Sequence, residues 1–252
     1  MIDPSILLDL LPTPAQAAGL LAVALVAGVI RGLTGFGAAL LMVPGLSLFL
    51  HPAEAVPTSM MAIAITNLPL LPGAWRESDK RMVAICLAGC LVTIPLGIWL
   101  LAVLPAEILR RAIGASVVVA GLLLLYGGFR VRQAGHGLKL LAGAVSGLMN
   151  GSVGMGGPPV ILLMLAMPLA PAVARASLLL YFTGLNSVSV VGMTWAGLFT
   201  RHTLVWSLLI IPPLIGAARL GEIWFRRGSG AQFRPIAIAV LIGTGVVALA
   251  KG

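Results

Sequence analysis

Charged side chains are scarce in this 252-residue chain: 9% of the residues are Asp, Glu, Lys or Arg, and 60% are hydrophobic. An average soluble domain carries about 25% charged residues. The composition therefore excludes a soluble enzyme, a disordered chain and a nucleic-acid-binding domain. Strict two-residue alternation, which an outer-membrane barrel requires, is absent as well. We expect an all-α polytopic membrane protein with the lipid bilayer as its main surroundings.

Acidic residues and cysteines are also few. None of the seven Asp and Glu residues lies in the middle of an apolar segment, so a carboxylate relay for protons has no candidate. Cys86 and Cys90 lie four residues apart in one apolar segment. Two ligands make no zinc site, so these cysteines are expected to be small packing residues. No catalytic triad, Walker A sequence, metal site or cofactor site is recognisable.

The basic residues follow the positive-inside pattern. Of the 16 Lys and Arg residues, nine lie in three segments, 75–81, 129–139 and 226–234, which this pattern places in the cytoplasm. The opposite side receives Arg110, Arg111, Arg201 and Lys251. This distribution, with the acidic start of the chain, predicts an extracytoplasmic N-terminus, and it explains the net charge of +9 without a polyanionic partner.

Apolar segments alternate with short loops along the whole chain. A full membrane span needs about 20 residues, and the first, second, sixth and seventh segments are expected to be short or interrupted by glycine. The predicted segments are 15–33, 36–50, 54–74, 82–104, 107–128, 137–151, 155–169, 172–198, 203–225 and 232–250.

The two halves of the chain repeat at a shift of 119 residues. Over the 40 positions from 28 to 67 there are 10 identities, which include four glycines and the pair Asn67 and Asn186. The predicted domains are therefore 1–130 and 131–252, each with two short glycine-broken helices and about three full spans. Each half has an odd number of crossings whether or not the short segments span, so the second half is inverted, as in many transporters.

Glycine-rich motifs recur at equivalent positions, GVIRGLTGFG from Gly28 and GLMNGSVGMGGPP from Gly147. Such glycine density breaks a helix, and Pro158 with Pro159 suits the first turn of a new one. Broken backbone at membrane depth lines a cavity or is buried in protein. The new helix presents free N–H groups, which favour an anion. We call residues 34–37 the first break and residues 152–157 the second break.

Two interpretations of these motifs stay open. Glycines spaced by four let helices pack closely, whereas the breaks themselves suit a substrate site. Thr34 and Ser152 are candidate helix caps, and Arg31 is either a buried functional charge or a side chain that reaches the membrane interface. The candidate substrate-binding residues are Arg31, Thr34, Gly35, Phe36, Gly37, Asn67, Asn150, Ser152, Gly154, Met155, Gly156, Gly157 and Asn186.

At these motifs the sequence resembles the TauE/SafE sulfite exporter family, also called TSUP. The resemblance is carried by RGLTGFGAAL from Arg31, by GSVGMGGPP from Gly151, and by the turns at Pro52 and Pro171, and it covers nearly the whole chain. It implies a multi-pass transporter of the bacterial inner membrane for sulfite, sulfonates or related anions. Ala38 and Ala39 stand where the family is usually richer in glycine, so the two breaks are expected to contribute unequally.

The sequence thus predicts an alternating-access transporter, not an enzyme, whose substrate is a small sulfur-containing anion bound between the two breaks. An inside-negative membrane potential favours anion export by about 2.3 kcal/mol per charge per 100 mV, and so export is preferred over import. The alternatives are a channel-like or cation-handling pore and an accessory subunit of a membrane complex. The sequence does not decide whether the protein forms a homodimer.

Overall fold

The computed structural model describes residues 12–34, 37–126 and 134–224, and the regular secondary structure in these ranges is helical. A single 3-10 turn, Leu68–Leu70, joins α3 to α4. The tenth predicted segment, 232–250, lies outside the described residues. The helices are α1 (Pro14–Thr34), α2 (Ala38–Ser47), α3 (Pro52–Asn67), α4 (Leu71–Glu77), α5 (Lys80–Val103), α6 (Ala106–Tyr126), α7 (His136–Val153), α8 (Gly157–Ala166), α9 (Pro171–Trp195) and α10 (Arg201–Trp224).

Helix starts and breaks follow local sequence chemistry. Pro52 and Pro171 open α3 and α9, where a missing N–H costs nothing. Asp79 caps α5, because its carboxylate accepts a hydrogen bond from the N–H of Met82 at 3.0 Å. Gly37 and Gly154 have φ angles of 90° and 69°, a left-handed conformation that favours glycine. The predicted breaks between α1 and α2 and between α7 and α8 are therefore confirmed.

Five stretches of the described chain are long and apolar enough to cross a membrane. They are Pro14–Leu33, Pro52–Glu77, Lys80–Val103, Pro171–Trp195 and Arg201–Trp224. By contrast, α2 and α8 have 10 residues each. At about 1.5 Å per residue, each reaches roughly half of a 30 Å hydrocarbon core.

The prediction that the first segment is short or interrupted by glycine is wrong. Helix α1 runs unbroken for 21 residues. Its glycines Gly28 and Gly32 do not break it, because they pack against α10: a Cβ on Gly28 would lie 2.7 Å from the carbonyl oxygen of Leu214. The backbone of the neighbouring helix takes the space that a side chain would need.

Many apolar side chains lie on the outer surface. Val92 is 79% exposed and Leu141 is 61% exposed, as expected for side chains that face lipid rather than water. Four tryptophans, Trp75, Trp99, Trp195 and Trp224, are exposed near helix ends, whereas Trp206 is buried and packs beside His202. The chain is a multi-pass membrane protein.

Equivalent helices in the two halves begin or end 119 residues apart. Helix α2 spans 38–47 and α8 spans 157–166, an offset of 119 at both ends. Helices α1 and α7 end at 34 and 153, again 119 apart. The starts of α3 and α9, at 52 and 171, differ by the same 119. The closest packing pairs are α5 with α7 and α1 with α10.

Glycines at four-residue spacing make these close contacts, as the packing interpretation predicts. In α7, a Cβ on Gly143 would overlap the carbonyl oxygen of Cys86, and one on Gly147 would lie 2.5 Å from that of Cys90. Both cysteines are free and fully buried, so their predicted role as small packing residues is confirmed.

Candidate functional site

A small cavity of about 40 Å³ lies where the two breaks come together. Its polar lining comes from the end of α1, the end of α3, the end of α7 and the middle of α9. Seven of the candidate residues from the sequence line it: Arg31, Gly37, Asn67, Asn150, Gly156, Gly157 and Asn186.

Arg31 lies deep in the protein, with 7% of its surface exposed. Its Nη2 donates to the carbonyl oxygen of Thr66 at 3.2 Å and to Oδ1 of Asn67 at 2.5 Å. Its Nη1 donates to the Thr66 hydroxyl. These acceptors are all uncharged, so they orient the guanidinium without neutralising it. Arg31 is therefore buried within the protein rather than extended to its surface, and it lines the cavity.

Asn150 occupies the equivalent position in the second half and makes the equivalent contact. Its Nδ2 donates to Oδ1 of Asn186 at 3.4 Å and to the Ser189 hydroxyl at 2.8 Å. The pairs Arg31–Asn67 and Asn150–Asn186 both join residues 36 apart in sequence. In each half, the end of the first helix is thus hydrogen bonded to an asparagine of the third.

Side chains of α7 and α9 brace the second break. The amide oxygen of Asn150 accepts the N–H of Gly156 at 3.3 Å. Behind it, Tyr181 donates to the Ser146 hydroxyl at 2.8 Å, and Ser146 donates to the carbonyl oxygen of Gly156. These buried hydroxyl groups hold the start of α8 in a fixed position beside the cavity.

Many of the residues that line the cavity form pairs, one from each half, separated by the same 119 residues as the helix bounds. The positions 31 and 150, 37 and 156, 38 and 157, 63 and 182, and 67 and 186 each differ by 119, and both members of every pair line the cavity. Its apolar walls include Ala38, Ala39, Ile63 and Phe182. Sequence reasoning missed Ile63 and Phe182, although the shift of 119 that identified the asparagines also relates these two positions.

Three other candidate residues, Ser152, Gly154 and Met155, lie away from the cavity lining. Gly154 packs toward Val43 and Val56, and Met155 is fully buried in the apolar core. Ser152 is not a cap, because its hydroxyl donates to the carbonyl oxygen of Leu148 within α7 at 2.7 Å. Thr34 is the last residue of α1, and Gly35 with Phe36 falls outside the described residues.

Electrostatically the cavity favours anions. Arg31 is the only charged side chain among the described residues that line it. Helix α2 begins at Ala38 without a side-chain cap, and its first residues Ala38 and Ala39 line the cavity, which places the positive end of its dipole there. The described residues contain no group of three or more His, Cys, Asp or Glu side chains that could hold a metal ion.

Comparison with known proteins identifies the family of the chain. Residues 20–248 match the family model described as "Sulfite exporter TauE/SafE". The chain is 29% identical over 218 residues to a Cupriavidus necator protein named "Probable sulfite/organosulfonate exporter TauE", a match that covers 84% of this chain and 85% of that protein. No solved structure is significantly similar to the chain. The chain therefore belongs to the TauE/SafE sulfite exporter family, which consists of membrane transporters and not enzymes.

Proposed function

We propose that this protein exports a small sulfur-containing anion, such as sulfite or an organosulfonate, by alternating access to the cavity between the two breaks. The observation that carries the proposal is a buried arginine in a cavity lined by repeat-related residues of both halves. An ionisable residue at membrane depth suggests a functional site by default. A buried guanidinium and a helix N-terminus repel a cation, which argues against a cation-handling pore.

The directions of the packed helices support inverted repeats. Residue numbers in α5 and α7 increase in the same direction along their contact, because Cys86 lies against Gly143 and Cys90 lies against Gly147. These helices are therefore parallel. Gly28 lies against Leu214, and Gly32 lies against Ala218, which makes α1 and α10 parallel too.

Helix α9 completes this argument. Leu87 and Ile98 of α5 contact Gly184 and Gly192 of α9, so α9 runs in the same direction as α5. The five residues between Trp195 and Arg201 reverse the chain into α10. Helices α5, α7 and α9 then share one direction, and α1 and α10 share the other. The equivalent helices α1 and α7 are thereby antiparallel, as two domains 1–130 and 131–252 of inverted topology require.

Helix α2 forms a hairpin with the long helix before it, α1. Gly45 lies against Val23, and Gly19 lies against Phe49, so α2 returns alongside α1. The tip of this hairpin is near Asn67, the 16th residue of the 26-residue stretch Pro52–Glu77. Asn186 is likewise the 16th residue of the 25-residue stretch Pro171–Trp195. These positions suit a site near the bilayer midplane, between two units that rock against each other.

The proposed orientation places the N-terminus outside the bacterial inner membrane and the basic segment 75–81 in the cytoplasm. An inside-negative potential then drives an anion outward by about 2.3 kcal/mol per charge per 100 mV. Export therefore needs no coupled ion, in keeping with the lack of acidic side chains among the described cavity residues.

The test replaces Arg31 with Gln in the full-length protein reconstituted in liposomes. We expect sulfite flux to fall about 10- to 100-fold, because hydrogen bonds to a charged group contribute about 1.5–3 kcal/mol. Arg31→Lys should retain part of the flux, since it keeps the charge but loses the planar fork of donors. Arg76→Gln removes an exposed charge and serves as the matched control. Undiminished flux in a folded Arg31→Gln variant would contradict the proposal.

A further inference from the structure

We propose that the cavity selects monovalent over divalent oxyanions, so that the transported species is hydrogensulfite or a compact sulfonate monoanion. This inference rests on the proposed function and specifies the charge of its substrate. Three observations carry it: a single buried charge, an unequal pair of breaks, and a small volume.

The charge of the cavity sets the first limit. Arg31 contributes one positive charge, and the other described lining residues are neutral. Its hydrogen-bond acceptors, on Thr66 and Asn67, add no formal charge. A monoanion would balance the guanidinium, whereas a dianion would leave one uncompensated negative charge away from water. Uncompensated buried charge is strongly unfavourable.

The second break supplies few donors to offset that extra charge. The N–H of Gly156 is already donated to Asn150, and Pro158 and Pro159 have no N–H. At the first break, α2 begins instead with Ala38 and Ala39, both of which line the cavity. The start of α2 therefore carries more N–H groups than the start of α8.

The small volume of the cavity limits the size of the anion that it can bind. A volume of about 40 Å³ corresponds to roughly three water molecules at about 10–15 Å³ each. This space suits a compact head with three oxygens. A bound dianion would also lose most of its hydration here, because the walls formed by Ala38, Ile63 and Phe182 are apolar.

Methanesulfonate and sulfate give a clean test, because they are nearly equal in size and differ by one unit of charge. Each is titrated against the purified full-length protein at matched ionic strength, with thermal unfolding and inhibition of sulfite flux as readouts. We expect methanesulfonate to act at a concentration at least about tenfold lower than sulfate, a difference of about 1.4 kcal/mol. Arg31→Gln should remove the methanesulfonate effect and leave only the general stabilisation that sulfate gives all proteins.

A second variant adds another positive charge to the cavity. Asn150→Arg places a guanidinium at the position equivalent to Arg31, and it should shift the preference toward sulfate. Equal or tighter action of sulfate on the wild-type protein would overturn the inference while leaving anion export intact. If the wild-type protein transports sulfite but neither anion inhibits that flux, the inference alone is wrong. If it transports no sulfite, the proposed function is wrong as well. The wild-type comparison decides the matter even where Asn150→Arg fails to fold.

Discussion

At the residue scale, glycine serves two separate purposes in this chain. Gly28, Gly143 and Gly147 lie within helices and admit the backbone of a neighbouring helix. Gly37 and Gly154 instead take left-handed φ angles that end one helix before the next begins. The spacing of glycines alone does not separate these purposes, since both kinds occur in the same motif.

Substitution of Gly154 by Ala tests the second purpose. At a φ of 69° an L-residue costs roughly 1–2 kcal/mol, and the added Cβ would lie 2.9 Å from Val43. We expect a lower midpoint of thermal unfolding in detergent. Gly73→Ala is the matched control, because Gly73 is exposed, helical and free of neighbours within 4 Å. Equal midpoints for the two variants would show that the left-handed conformation is not required.

At the element scale, the closest packing joins helices from different halves of the sequence. The first helix of each half packs against the third long stretch of the other half, α7 on α5 and α1 on α10. Thr93 of α5 also donates to the carbonyl oxygen of Ala144 in α7 at 2.6 Å. Interhelical hydrogen bonds and close backbone approach are what hold helices together in lipid, where burial of apolar surface contributes little.

Gly143→Ala should weaken this packing. The new methyl group would overlap the backbone of Cys86, so α7 would have to move away from α5, at a cost of about 1–3 kcal/mol. The same change at Gly137 in the first turn of α7 adds a methyl group in open space. We expect a lower unfolding midpoint for Gly143→Ala and an unchanged or higher one for Gly137→Ala. A Gly143→Ala protein as stable as its control would exclude the close α5–α7 contact.

At the scale of the whole molecule, the proposed inversion makes a prediction about membrane sides. Positions 77 and 196 are equivalent in the two halves because they lie 119 residues apart, and both are exposed. Under the proposed topology, Glu77 is cytoplasmic and Ala196 is extracytoplasmic. Cysteines introduced one at a time at these positions are treated with a membrane-impermeant thiol reagent in intact cells.

We expect Ala196→Cys to be labelled in intact cells and Glu77→Cys only after the cells are opened. The native Cys86 and Cys90 are fully buried, so they give little background labelling. Labelling of both positions from one side would rule out inverted repeats, whichever side it is. Labelling of Glu77→Cys alone in intact cells would retain the inversion and reverse the orientation.

Much of this architecture was predictable from hydropathy and glycine spacing. The predicted segments 36–50 and 155–169 contain α2 and α8, and the expected breaks coincide with Gly37 and Gly154. The expectation of a short or interrupted helix is wrong for α1, which is continuous. Helix propensity penalises Gly28 and Gly32, but packing against α10 compensates for that penalty, and sequence alone does not reveal the partner helix.

The sequence by itself determined the membrane class, the positions of the apolar segments and of the two helix breaks, and the repeat of 119 residues, because hydropathy, proline and glycine act locally along the chain. Only the tertiary structure decided which polar residues share one cavity. The residues that converge there are Arg31, Asn67, Asn150 and Asn186. The motif made Ser152, Gly154 and Met155 equally plausible. However, the Ser152 hydroxyl bonds to the backbone of its own helix, and Gly154 and Met155 pack in the apolar core. Whether a residue at a break faces the cavity depends on how helices that are distant in sequence pack against each other, and the local sequence does not determine that packing.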